Sequence, residues 1–376
     1  MSPEGVLRPA LPVKVVSQLG PLAPAWDQLV DEQSLPSPFL KSWWIENVAV
    51  GRLQILCFFD GDDLVGGAAF EVDRVGRGRL GVERVRSVGQ GVLAPDHLDV
   101  IALPTNRPEV LAATLEWLRR PGSRVVDLDG VSAEGSLGRA LSAHEIERIS
   151  APYASLPEDL SAYFAGLPGQ MRSTVKRGRN RFAKQGVTST RVPAEDSAEV
   201  ERALNSLAEL HDGRWSEESS FLEAFEHFRA AVLHGSAHGE VLIHTLGSHE
   251  TGVVAIEVDL IAGGRACFYQ AGRRTEREWR GCGTVLRADL IDLIHGDGRT
   301  EYDMLRGNES YKADWATGER DLLRCRFGVG PGGKVLATSA NRWKRSAPTL
   351  NRVGSAVREK VSRAPWPRRR EPRIEM

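Results

Sequence analysis

The sequence predicts a mixed α/β (α+β) fold built as two domains in tandem, each a mixed central sheet flanked by helices. Two observations lead there. The chain has 376 residues, 41% hydrophobic and 26% charged, a globular balance spread over more chain than one core usually holds. Its second half runs strand, strand, strand, helix, strand, helix, strand, the order in which a helix connects two neighbouring parallel strands of a mixed sheet.

The elements follow in order. A helix around Ala25–Asp31, a Pro-bounded turn LPSP and a helix over Leu40–Val48 lead into the strand LQILCFFD; the turn GDD and the apolar stretch LVGGAAFEV make Leu53–Val72 a hairpin. A helix over Pro108–Arg119 and the strand RVVDLDGV complete a first domain, residues 1–150. The second, 151–330, opens with a helix at Leu160–Leu167 and the basic stretch QMRSTVKRGRNRFAKQG. On a helix, that stretch places Val175, Arg179 and Phe182 close to one face. A long helix through Leu204, Leu207, Leu210 and His211, a helix over Phe221–Leu233, and the strands EVLIHTLG, TGVVAIEVDL and ACFYQAG come next. The helix TVLRADLIDLIHG, the strand EYDML, a Tyr311–Trp315 segment and the strand LLRCRFGV close the domain.

Residues 331–376 read as a basic, disordered tail. From Leu336 onward there are 11 Lys/Arg against 3 Asp/Glu, which leaves 38 against 47 in the body. Such a tail suits peripheral contact with an anionic membrane face or with a polyanion such as tRNA; the alternative is a solubilising extension. No apolar run approaches the roughly 20 residues of a membrane span, and the N-terminus lacks signal architecture, so a cytoplasmic protein is expected. Cys57, Cys267, Cys282 and Cys325 form no CxxC pair, which argues against a zinc cluster or disulfide framework. His234 and His238 lie in LHGSAHGE, read as a connecting turn, and no metal is expected.

The most informative local feature is Gly281-Cys282-Gly283 opening an apolar helix directly after a strand and a charged loop. Glycines there let backbone N–H groups approach an anion, and the positive helix end favours phosphate; a plain Gly-rich turn before a helix has the same sequence. Transfer of an acyl group requires a polarised carbonyl, a group that takes the acceptor's proton and one that protonates the leaving group. His211, at helical spacing from Arg214 and Trp215, is a candidate general base, with a helix-packing histidine as the alternative. Tyr311 and Lys312 follow the strand EYDML, at the sheet edge where α/β ligands bind. Tyr311 is a candidate proton donor, and Lys312 a partner for an anionic acceptor group or for Asp303; a core-closing Tyr/Trp pair with a surface Lys is the alternative.

From Tyr153 to Arg326 the chain resembles the CelD-type, cellulose-biosynthesis-associated acetyltransferases of the GNAT superfamily, which are similar to FemAB-type aminoacyltransferases. The matching motifs are LHDGRW (Leu210–Trp215), CFYQAG (Cys267–Gly272), the GCG helix start and YDMLRGNESYKADWATGE (Tyr302–Glu319), with SPFLKSWW, DDLVGGAAF and DHLDV in the first half. The resemblance implies two GNAT-like domains and an acetyl-CoA or longer acyl-CoA donor. It also implies direct transfer to an amine or, less often, a hydroxyl of a small-molecule, sugar or lipid acceptor. It implies that Tyr269, Gln270 and Ala271 meet the thioester and that Gly281, Cys282, Gly283 and Thr284 take the pyrophosphate. Arg172, Lys176, Arg214, Trp215 and Asp303 are the candidate substrate contacts. Glu278, where the superfamily's turn often carries Gln or Arg, is expected to oppose the pyrophosphate. A tRNA-borne aminoacyl donor and a non-catalytic scaffold for exopolysaccharide synthesis are the other readings.

Overall fold

The computed structural model describes residues 11–76, 81–215, 221–307 and 309–339, side chains at 212–215 excepted. One mixed sheet of 13 strands runs through the molecule. In the first half β1 (Val13–Val16), β2 (Arg52–Asp60), β3 (Asp63–Val75) and β4 (Val82–Arg86) form an antiparallel meander, with the short β5 (Ile101–Ala102) beside β3. Helix α3 (Arg107–Arg119) then leads to β6 (Arg124–Ser132), which pairs parallel with β4 and is followed by α4 (Ser136–Leu141). The second half repeats the plan. The meander β8 (Thr188–Arg191), β9 (Val241–Ser248), β10 (Gly252–Ala262) and β11 (Arg265–Arg273) is followed by α9 (Cys282–Gly296) and by β12 (Glu301–Asp303), parallel to β11. This is the mixed α/β fold with two similar halves that the element order predicts.

The halves exchange strands. β7 (Glu145–Ser155) follows the first half in sequence yet pairs with β12 of the second. β13 (Gly318–Val329) follows the second half yet pairs with β6 of the first. β7 and β13 pair antiparallel with each other and close the seam between the halves. The position between residues 150 and 151, where the sequence predicts a domain boundary, therefore falls inside β7.

Two layers cover the second-half sheet. On one face α7 (Ser197–Trp215) and α8 (Phe225–Ala237) join α1 (Ala23–Asp31) and α2 (Ser42–Val48) around a core that includes Trp43, Trp44, Leu207, Phe228, Ile256 and Val258. On the other lie α5 (Leu160–Gly166), α6 (Gly169–Lys184) and α9. Gly178 of α6 sits so close to α9 that a Cβ there would lie 2.4 Å from Val285. LHGSAHGE is a correction to the sequence reading: it is the last turn and end of α8. Its glycine serves packing, since a Cβ at Gly235 would lie 2.9 Å from the Trp43 ring. The expected tail also begins inside ordered structure, because residues 330–339 are helical; the remainder lies outside the described residues.

Candidate active site

The site is made where β11 and β12 part. Their parallel pairing covers only Arg265–Cys267 against Glu301–Asp303, and from Phe268 to Arg273 no described strand pairs with that edge of β11. The other edge, against β10, slips register between Val258 and Asp259, so Tyr269 is an extra residue in β11. Such a bulge re-aims the strand and turns its backbone groups. Phe268, Tyr269, Gln270 and Ala271 are all half-buried here. Tyr269 turns its ring into the core, 5.3 Å from Trp44 and 5.6 Å from Phe39, and its hydroxyl donates to the Leu93 carbonyl at 2.7 Å.

The equivalent gap in the first half is filled. After β4, Ser87 Oγ donates to the Asp129 carbonyl at 2.8 Å, and Gln90 Oε1 accepts from the Asp129 backbone N–H at 3.2 Å. Leu98 then bridges β6, accepting from Ser132 N–H and donating to the Gly130 carbonyl, each at 2.9 Å. Only the second-half gap is left with unclaimed strand edge among the described residues.

Helix α9 starts at the mouth of this gap. Gly281 adopts φ +85°, a left-handed conformation that costs a residue with a Cβ about 1–2 kcal/mol. No side chain caps the helix, so the first-turn N–H groups of Cys282, Gly283 and Thr284 stay free of intrahelical partners, the first such bond being Val285 N–H to Gly281 at 3.0 Å. Positive charge gathers around them. The Arg273 Cδ lies 3.2 Å from where a Gly283 Cβ would be, and Arg181 donates to the Arg280 carbonyl at 2.5 Å. Glu278 is exposed in the short turn Arg277–Trp279 before the helix. Cys282 points inward, its thiol 3.8 Å from the Val254 carbonyl and its pKa raised by burial, so it offers a ligand only its backbone.

Under the gap lies a buried polar cluster. Arg287 of α9 donates to Glu257 of β10 at 3.1 and 3.4 Å, and the Tyr302 hydroxyl donates to the same carboxylate. The Arg287 guanidinium lies 4.2 Å from the Phe268 ring centre and 5.2 Å from that of Tyr311. Tyr311, in the one-turn helix α10 (Ser310–Ala313), is 38% exposed, and burial raises its pKa. Asp259, two residues along β10, is fully buried with no hydrogen-bond partner for either oxygen, and burial with the nearby Glu257 raises its pKa strongly.

Other sequence candidates fall elsewhere. Lys312 is buried, donating to the Arg306 carbonyl at 2.6 Å and pairing with Glu309 at 3.1 Å, and burial lowers its pKa. Asp303 is fully buried, pairing with Arg265, His97 (3.0 Å) and Arg320 (3.4 Å) and accepting from Leu305 N–H at 2.7 Å; despite its burial, the His97 and Arg265 charges hold its carboxyl well below the usual range. It holds the end of β12 to β11 rather than facing a ligand. His211 is buried on the α7 side of the sheet, its ring 4.9 Å from Phe221. Arg172 donates to the Ala165 carbonyl, and Lys176 is exposed on α6. The side chains of Arg214 and Trp215 lie outside the described residues. Sequence reasoning missed Glu257, Asp259 and Arg287, whose signal is charge inside apolar runs, IEVDL and TVLRADLI.

The fold and a segment of the sequence both have known counterparts. The structure is similar to that of FemX, with a TM-score of 0.58 at 11% identity over 83% of this chain and 97% of that one. The C-terminal domain of a protein named as a lysylphosphatidylglycerol synthetase, from Agrobacterium fabrum, gives 0.53 at 11% identity over 87% and 96%. A Bacteroides thetaiotaomicron protein of unknown function gives 0.50 at 14% identity over 84% and 99%. The comparison with curated proteins found no match. Residues 169–313, which run from α6 through α10 and contain the β11–β12 gap and the α9 N-terminus, match the acetyltransferase (GNAT) domain family.

Proposed function

We propose that the protein is an acyl-CoA-dependent N-acyltransferase that passes an acyl group to an amine of a cell-envelope, sugar or lipid precursor. The observation that carries this reading is the unclaimed edge of β11, bulged at Tyr269, opening beside the uncapped start of α9. An extended pantetheine chain can pair with that edge as a strand would. Its pyrophosphate then meets the free N–H groups of residues 282–284 and the arginines around them. Arg181 and Arg273 offset the exposed Glu278 at this end, so the acidic residue does not by itself preclude a phosphate.

In the reaction the acceptor nitrogen attacks the thioester carbonyl, whose oxygen is stabilised by backbone N–H groups of β11. The C–N bond forms, the C–S bond breaks, the nitrogen loses its proton to water, and the thiolate receives one from Tyr311, the half-exposed hydroxyl beside the gap. His211, buried across the sheet, is left out of this scheme. No helix among the described residues is long and apolar enough to cross a membrane, so a lipid acceptor would be met at a bilayer surface.

The exposed basic side chains Lys176, Arg177 and Lys184 of α6 favour one further donor, an aminoacyl group carried on RNA. The test is thiol release from acetyl-CoA and longer acyl-CoAs with a panel of primary amines, run beside aminoacyl-tRNA. Amine-dependent release of free CoA supports the first reading. Transfer from aminoacyl-tRNA alone supports the second, and neither would leave a scaffold.

A further inference from the structure

We infer that Arg287 is the positioning residue for Tyr311: clamped by Glu257 and Tyr302, it holds the phenol at the mouth of the β11–β12 gap. The inference rests on the proposed acyl-transfer reading for its kinetic part. A guanidinium in a buried site needs a compelling set of partners, because an unpaired buried charge costs several kcal/mol. Arg287 has partners on three elements. Glu257 of β10 takes two of its N–H groups. Phe268, the last β11 residue before the bulge, lies under its cationic plane at 4.2 Å. The Tyr311 ring of α10 lies 5.2 Å from the guanidinium. Tyr302 of β12 completes the clamp by donating its own hydroxyl proton to Glu257.

The arrangement uses the guanidinium's geometry. A planar cation can donate to a carboxylate along one edge while it packs against aromatic rings; an ammonium has no such plane. Packed against Arg287 and still 38% exposed, Tyr311 can donate its O–H outward, toward a leaving thiolate. α10 is only four residues long, so its own hydrogen bonds do little to hold Tyr311 in place, and Arg287 reaches it from the long helix α9. The charged groups facing Tyr311 are Arg287, Glu309 and Glu257, and of these only the guanidinium stabilises the ionised phenol.

The test uses Arg287→Met, Arg287→Lys and Tyr311→Phe in the full chain, with acyl-CoA affinity, kcat, KM and the phenol titration followed by ultraviolet difference against Tyr311→Phe. Arg287→Met is expected to keep acyl-CoA affinity within about threefold, to lower kcat by roughly 100-fold and to move the Tyr311 titration to higher pH. Arg287→Lys should recover part of the loss. Combined with Tyr311→Phe, Arg287→Met should add nothing further, as expected of residues acting as one unit. Additive losses in the double variant, or a Tyr311 titration unmoved by Arg287→Met, would overturn the inference. Should Arg287→Met fail to fold, Glu257→Gln/Arg287→Met removes both charges and is read by the same titration. An absence of turnover in the unmodified protein speaks against acyl transfer, whereas the titration decides the Arg287–Tyr311 link independently.

Discussion

Asp259 and Asp303 are both fully buried, but their surroundings drive their carboxyl groups in opposite directions. Asp303 pairs with Arg265, Arg320 and His97, and its pKa is lowered. Its ionised form stabilises the fold in full above the unfolded carboxyl pKa near ~4, and that contribution is lost as pH falls toward the lowered native value. Asp303→Asn should therefore cost about 3 kcal/mol at pH 7, by removing the fully buried carboxylate and leaving Arg265 with Glu301 alone as ion-pair partner. In urea titrations the gap from the unmodified protein should close as pH drops below about 4. Asp259 has no partner, and its pKa is raised. In the unfolded chain it ionises near pH ~4, so each step above that pH favours unfolding until the native group also ionises. Asp259→Asn should accordingly gain stability at pH 7 relative to pH 4; an equal effect at both pH values would show that the native carboxyl is not held neutral.

At the scale of elements, the start of α9 and its contact with α6 carry the donor site. Gly178 lets α6 approach α9, and Gly178→Val should force them apart at a cost of roughly 1–3 kcal/mol, read as a lowered melting temperature, with weakened donor affinity. Most elements were legible in the sequence, because amphipathic helices such as α3 and α9 and apolar strands such as β10 keep their period. β7, with its EIERIS start, was missed because exposed and half-buried positions mix along it. The end of α8 was misread because Gly and Ser signal turns locally, while here their small size admits Trp43. At the site, GCG and Tyr311 were legible as a helix start and a post-strand hydroxyl. The gap was not, since it depends on β12 being only three residues long beside a nine-residue β11. Lys312 and Asp303 had the right residue types for ligand contacts, but their burial is a tertiary fact.

For the whole molecule, the strand exchange makes the two halves one folding unit. A chain ending before β13 would leave β6 with an open edge, and one beginning after β7 would do the same to β12. Fragments divided after Leu156 should each be insoluble or poorly structured alone and recover structure when co-expressed. The full chain should unfold in one calorimetric transition; two independent transitions would contradict the interlocked sheet. That interlocking also gives the site its rigidity, since β7 and β13 fix β12 where β11 leaves it.

The central claim, a donor site between β11 and the start of α9, is tested most directly by calorimetric titration of the protein and of Gly281→Asp with acetyl-CoA. Saturable binding is expected, lost in the variant through added negative charge and a displaced first turn, together with a thermal stabilisation of about 2.7 kcal/mol at a hundredfold excess over Kd. Binding of equal strength in both proteins would place the donor elsewhere, and no binding to either would contradict the account.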